Sequence, residues 1–112
     1  MIQTAMVLKV YTDETAYLGD QPVRQVLVDR ARNAKMAGLT VFEAIAGIGH
    51  SAHVHRRQFL ERERPLIIEI VDSEERLRQF VNSLADVPHL GLLTLQPIEI
   101  IEPTGSAEDG QT

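Results

Sequence analysis

The run Gly47-Ile48-Gly49-His50-Ser51-Ala52-His53-Val54-His55-Arg56-Arg57 gathers two close glycines, a serine, an arginine pair and three of the chain's 4 histidines. These are residue types that meet ligands. Glycine reaches backbone angles closed to other residues, so Gly47 and Gly49 can turn main-chain N–H groups toward an oxyanion, with the Ser51 hydroxyl and Arg56 or Arg57 adding a donor and charge. Phosphate or bicarbonate suits such a nest. The competing reading of the glycines is a plain turn or bulge leaving a strand. The arginine pair reads equally as a contact to a nucleotide phosphate or acidic partner, or as a solvated loop face.

The histidines raise a second chemistry. In an extended segment His53 and His55 fall on one side, and Glu61, Glu63 or a neighbouring subunit could complete a divalent-metal site of the storage or tolerance type. Surface loops more often carry histidines that are simply solvated, so no resident metal is assigned. A small hydrolase would need Ser51 or His55 with a carboxylate such as Asp13, Glu14 or Glu43. Ser51 lacks a nucleophile-elbow context and a loop preorganises a triad poorly, so the chain is read as a binding protein and not an enzyme. Tyr11, Asp13 and Glu14 close the first strand and are candidates to line a cleft, with Tyr11 against a base.

At 112 residues with 44% hydrophobic composition, the chain makes one domain whose modest core invites completion by a partner's surface. Cysteine is absent, which excludes disulfides, thiolate metal sites and cysteine nucleophiles. No basic segment precedes a long apolar run, and no stretch approaches the roughly 20 apolar residues that span a bilayer. A soluble, cytoplasmic protein without direct membrane insertion is expected. The net charge of -5 is concentrated at the end, where Glu99, Glu102, Glu108 and Asp109 have no nearby lysine or arginine. The rest is nearly neutral, and tryptophan is absent, so a small anion suits the arginine-bearing segment better than nucleic acid does.

Residues 6–11 carry the β-branched and aromatic content of a first strand, followed by a Thr-Asp-Glu-Thr turn. Asp20 and Pro22 mark a helix start, and Val23, Val26, Leu27, Ala31 and Ala34 fall on one face before Gly38, which is expected to end the helix in a left-handed cap. Residues 40–46 read as a second strand and 65–71 as a well-buried third, with the ligand segment between them. Asp72 and Glu75 have capping-box spacing before the stripe of Leu77, Phe80, Val81, Leu84 and Ala85, the clearest helical face in the chain. Residues 92–95 and 98–101 are extended segments divided by Pro97, which marks a bend or an edge. The domain is placed at residues 1–101, with an acidic, disordered tail at 102–112.

This order is βαββαβ, which predicts an α+β, ferredoxin-like antiparallel sheet with two helices on one face. The other face stays uncovered, so sheets packing together in an oligomer are expected.

The chain also resembles the PII-like family of the PII/GlnB-like superfamily, whose members are sometimes encoded beside fluoride exporters. The likeness runs over residues 6–101 through Lys9-Val10-Tyr11, Glu14, Gly19, Pro22, Ala31-Arg32, Ala37-Gly38, Thr40-Val41, Gly47-Ile48-Gly49, Ser51, His55 and Pro65 to Asp72. The resemblance implies a homotrimeric regulatory protein of signal transduction. Residues 47–64 would be its T-loop, meeting a membrane transporter or enzyme partner, and clefts between subunits near Gly47 to Ser51 would hold an adenine nucleotide (AMP, ADP or ATP). Gly47, Gly49, His50, Ser51, His55, Arg56, Arg57 and Tyr11 are then the ligand-facing set. One departure concerns ATP. Where PII proteins place a glycine-rich, lysine-containing phosphate loop, Ala85-Asp86-Val87-Pro88-His89-Leu90-Gly91 has no basic residue besides His89.

Overall fold

Leu8 and Val10 alternate with Val7, Lys9 and Tyr11 along the first strand, and this two-residue period decides which side of the sheet meets the helices. The computed structural model describes residues 2–46 and 64–103. Its elements are β1 (Ile2–Asp13), the short β2 (Tyr17–Leu18) and β3 (Gln21–Pro22), α1 (Val23–Asn33), β4 (Gly38–Glu43), β5 (Pro65–Asp72), α2 (Glu74–Asn82) and β6 (Leu93–Ile101). A 4-stranded sheet runs in the order β4-β5-β1-β6, antiparallel at every pairing. This is the expected ferredoxin-like arrangement, with β1 and β5 central.

Register puts Leu8 opposite Ile70 and Leu95, and Val10 opposite Ile68 and Leu93. These side chains share one core with Val23, Val26, Leu27 and Ala31 of α1 and with Leu77 and Phe80 of α2. Both helices therefore cover the same face. Fully burying each Leu or Ile contributes about 1.5–3 kcal/mol, which makes this layer the main source of stability. The intervening residues of the central strands, Val7, Lys9 and Tyr11 on β1 and Ile67, Glu69 and Val71 on β5, point to the opposite face. Among the described residues no helix covers that side, and Phe42 on β4 is 44% exposed there.

Four expectations are corrected. The left-handed position after α1 is Lys35 (φ 56), not Gly38. The Met36 N–H reaches the Ala31 carbonyl and the Lys35 N–H that of Arg32, a Schellman ending completed before Gly38 opens β4. Ser73, not Asp72, caps α2, accepting from the Arg76 N–H at 3.3 Å. Asp72 instead takes the Ser73 N–H, the Arg76 guanidinium and the Ala37 N–H.

The last two corrections concern strands. β6 is one strand through Pro97, tolerated because β6 is an edge and the missing donor can lie on its unpaired side. β4 begins at Gly38 and ends at Glu43, earlier at both ends than residues 40–46, because Gly38 already pairs with Val71. The β2–β3 hairpin is an additional element, beyond the βαββαβ order. Its two-residue turn places Gly19 at φ 63, a conformation that favours glycine. Residues 104–112 of the expected tail lie outside the described residues.

Candidate functional site

Three connections converge at the C-terminal end of β1. On one side the Tyr11 N–H donates to the Leu92 carbonyl (2.9 Å), the Gly91 N–H donates back to the Tyr11 carbonyl (2.9 Å), and the Thr12 hydroxyl donates to the carbonyl of His89 (3.1 Å). His89 holds φ 61, in the left-handed region where non-glycine residues are uncommon and histidine is enriched. The α2–β6 connection is thus fastened to the end of β1 by backbone and hydroxyl bonds together.

On the other side stand the feet of the 44–64 excursion. The Ala44 N–H donates to the Pro65 carbonyl (2.9 Å), and Arg64 Nη1 lies 3.2 Å from Glu43 Oε1. The Arg64 carbonyl in turn accepts from the Glu14 N–H (3.1 Å), tying the returning foot to the turn after β1. A segment of ligand-binding composition is therefore anchored where the central strand, a turn and a left-handed loop meet.

Of the ligand-facing candidates only Tyr11 is among the described residues. It is half-buried on the uncovered face, opposite Ile67, at the same end of the sheet as the excursion's feet. Gly47, Gly49, His50, Ser51, His55, Arg56 and Arg57 lie outside the described residues, as do His53, Glu61 and Glu63. Asp13, another residue expected to line a cleft, has a structural part in the turn after β1. It is 6% exposed, and its Oδ1 accepts from both the Thr15 N–H (2.8 Å) and the Thr15 hydroxyl (2.6 Å), so it braces the turn.

Electrostatics constrain what this end can hold. Asp13, Glu14 and Glu43 outnumber Arg64 here, so among the described residues the local charge at this end is negative. Among the described residues no three or more His, Cys, Asp or Glu side chains converge into a metal set. No described helix is long and apolar enough to cross a membrane.

Thr12, Glu43 paired with Arg64, and the backbone of His89 are parts of this end that the sequence pattern does not indicate. The Glu43–Arg64 pair joins positions separated by 21 residues and leaves no local pattern. A weak signal existed at His89, which follows Pro88 and precedes Gly91 in a stretch without periodicity.

The model of the family DUF190 (Uncharacterized ACR, COG1993) matches residues 5–100. A UPF0166 protein of Aquifex aeolicus (strain VF5) is 32% identical over 96 residues, covering 84% of this chain and 90% of the relative. Among solved structures, CPII bound to ADP and bicarbonate, from Thiomonas intermedia K12, superposes with a TM-score of 0.64 at 15% identity, covering 89% of this chain and 91% of that one. The apo form of CPII, a nitrogen regulatory PII-like protein, gives a TM-score of 0.63 at 15% identity over 92% of this chain and 98% of that chain. The fold is therefore PII-like.

Proposed function

The chain belongs to the DUF190 family, and on that premise we propose that it is a PII-like regulatory protein binding a small anionic effector, an adenine nucleotide, at clefts between subunits of a homotrimer. The convergence of the excursion's feet with the end of β1 and the 87–92 loop is the observation that carries this reading. A ligand held by Gly47 to Ser51 and by Arg56 or Arg57 would act directly on a segment whose ends are fixed. Its conformation would then be the output that a transporter or enzyme partner meets. Ligand contacts made in one conformation only are enough to shift such a segment between states.

Two observations support the ligand class. CPII, of similar fold, is known bound to ADP and bicarbonate. Both are anions, and the glycine-serine-arginine composition of residues 47–57 suits either. Support for the assembly comes from the face of the sheet away from the helices, where Tyr11, Ile67 and Phe42 lie in one cross-strand row. Regulation rather than catalysis fits the site, whose buried carboxylate Asp13 is committed to a turn.

Limited proteolysis during nucleotide titration tests the proposal. Saturating ADP is expected to change cleavage within residues 47–63, with bicarbonate adding to the effect. Unchanged cleavage and no binding heat with AMP, ADP or ATP would overturn it. Stoichiometric zinc uptake lost on replacing His53 and His55 would favour the metal-binding alternative instead.

A further inference from the structure

Between the Val7 and Tyr11 rungs, the uncovered face of the sheet carries a row that is polar on all four strands. Thr40 of β4 stands opposite Glu69 of β5, Glu69 opposite Lys9 of β1, and Lys9 opposite Thr94 of β6. One residue from each strand thus forms a line across the sheet at right angles to the strands. Lys9 Nζ and Glu69 Oε2 lie 3.8 Å apart, each side chain 31% exposed. On the central strands the neighbouring rows of this face are apolar or aromatic, Tyr11 with Ile67 toward one end and Val7 with Val71 toward the other.

A charge pair in the middle of an apolar face resists indiscriminate covering, because an apolar partner would strip both ions of water without return. A partner that presents matching charge at the same height removes that penalty. A second copy of the chain does so, since the row carries one cation and one anion side by side. When copies are related by rotation about an axis running along the strands, each cross-strand row meets its own counterparts. The polar rows then close into a single layer, bounded on the central strands by apolar and aromatic rungs.

We propose that the Thr40, Glu69, Lys9 and Thr94 row is the registry element of self-association, with Lys9 of one copy meeting Glu69 of the next. A slip along the strands by one rung sets both charges against apolar residues, so one alignment is favoured over its neighbours. Single polar positions in coiled-coil seams fix register and stoichiometry in the same way, at some cost in stability. The inference rests on the oligomeric reading given above and goes beyond it by naming the residues that decide how copies meet.

The test compares the full wild-type chain with K9E, E69K and the charge-swapped double variant K9E/E69K, using sedimentation velocity and native mass spectrometry over a concentration series. Circular dichroism checks that each variant folds, which the partial exposure of both positions favours. Each single variant places like charges together, and its association midpoint is expected to rise by at least about 10-fold. The swapped variant is expected to regain one closed species. Mixed with wild type, it should self-sort, because every mixed contact would bring like charges together. Association of the single variants as tight as wild type, failure of the swap to restore it, or statistical mixing of swapped and wild-type copies would each overturn the registry role while leaving the oligomer itself in place. A wild-type chain that stays monomeric throughout overturns the oligomeric reading, and the registry role with it.

Discussion

Arg64 Nη1 stands 3.2 Å from Glu43 Oε1, so a charge pair clasps the two feet of the 44–64 excursion just outside the Ala44 to Pro65 backbone bond. Both side chains are about half exposed (49% and 52%), where an ion pair is worth at most about 1 kcal/mol. The pair thus matters for where the segment leaves the sheet rather than for whether the sheet folds. Stability and loop behaviour should separate when it is removed.

That separation is measurable with R64A and E43Q. Urea unfolding is expected to change by less than about 1 kcal/mol for either variant, while cleavage within residues 47–63 in the absence of nucleotide rises and its response to ADP weakens. A loss of stability beyond about 3 kcal/mol, the range of a buried charge left unpaired, would mean that the clasp is a structural support rather than a boundary of the responsive segment.

The arginines of the excursion should behave differently. With Asp13, Glu14 and Glu43 at its base, the candidate site lacks cationic charge of its own beyond Arg64 among the described residues. Charge-assisted bonds to phosphate contribute roughly 1.5–3 kcal/mol, so R56A or R57A should weaken ADP binding by about 10-fold or more with little effect on the melting temperature of the unliganded protein. Calorimetric titration of each variant decides this. Unaltered affinity in both would remove these side chains from the ligand site.

Arg76 holds three elements together. Its Nη2 donates to the carbonyls of Ala34 (2.6 Å) and Lys35 (3.1 Å), and its Nε donates to Asp72 Oδ1 (3.0 Å). The end of α1, whose carbonyls would otherwise look to water, is thereby capped by the first turn of α2. R76A is expected to cost about 1–3 kcal/mol in urea unfolding. R76K should recover little of that, because an ammonium cannot reproduce the fork that spans Asp72 and two carbonyls. Full rescue by lysine would show that charge alone matters here.

Asp72 gives the fold a pH dependence of defined sign. Burial acts to raise its pKa, but the Ser73 N–H, the Arg76 guanidinium and the Ala37 N–H together hold it below the ordinary carboxylate range. A carboxylate with a depressed pKa in the folded state contributes stability that is present above its unfolded pKa of about 4 and disappears as pH falls through the lower folded value. Wild type should therefore exceed D72N by about 1 kcal/mol or more near neutrality, and the gap should narrow below about pH 4. A difference that stays constant down to strong acid would mean that the negative charge is not what stabilises this junction.

Much of the fold follows from local pattern. The 3.6-residue stripe through Leu77 and Phe80 and the β-branched and aromatic content of residues 6–11 identify their elements correctly, and Pro97 marks the edge strand without dividing it. At the helix ends the reading fails where two residues compete for one role. Lys35 takes the left-handed position because the Schellman bonds to Ala31 and Arg32, together with Arg76 on its carbonyl, outweigh the glycine preference. Ser73 takes the cap because the backbone bonds of β5 commit Asp72 to the strand and turn its carboxylate toward Ala37 and Arg76. The candidate site was legible only as composition. Clustered glycines, histidines and arginines in residues 47–57 are the composition on which the proposed ligand segment rests, whereas the anchors Glu43, Arg64 and His89 are defined by strand pairing and backbone angle, which no spacing rule encodes.

The most direct measurement is calorimetric titration of the full-length protein in its native assembly with ADP, in the presence and absence of bicarbonate, alongside proteolysis of the same samples. The expected result is saturable binding heat accompanied by altered cleavage confined to residues 47–63. Absence of heat for every adenine nucleotide, with identical cleavage patterns throughout, would contradict the proposal that this PII-like fold reports an adenine nucleotide through that segment.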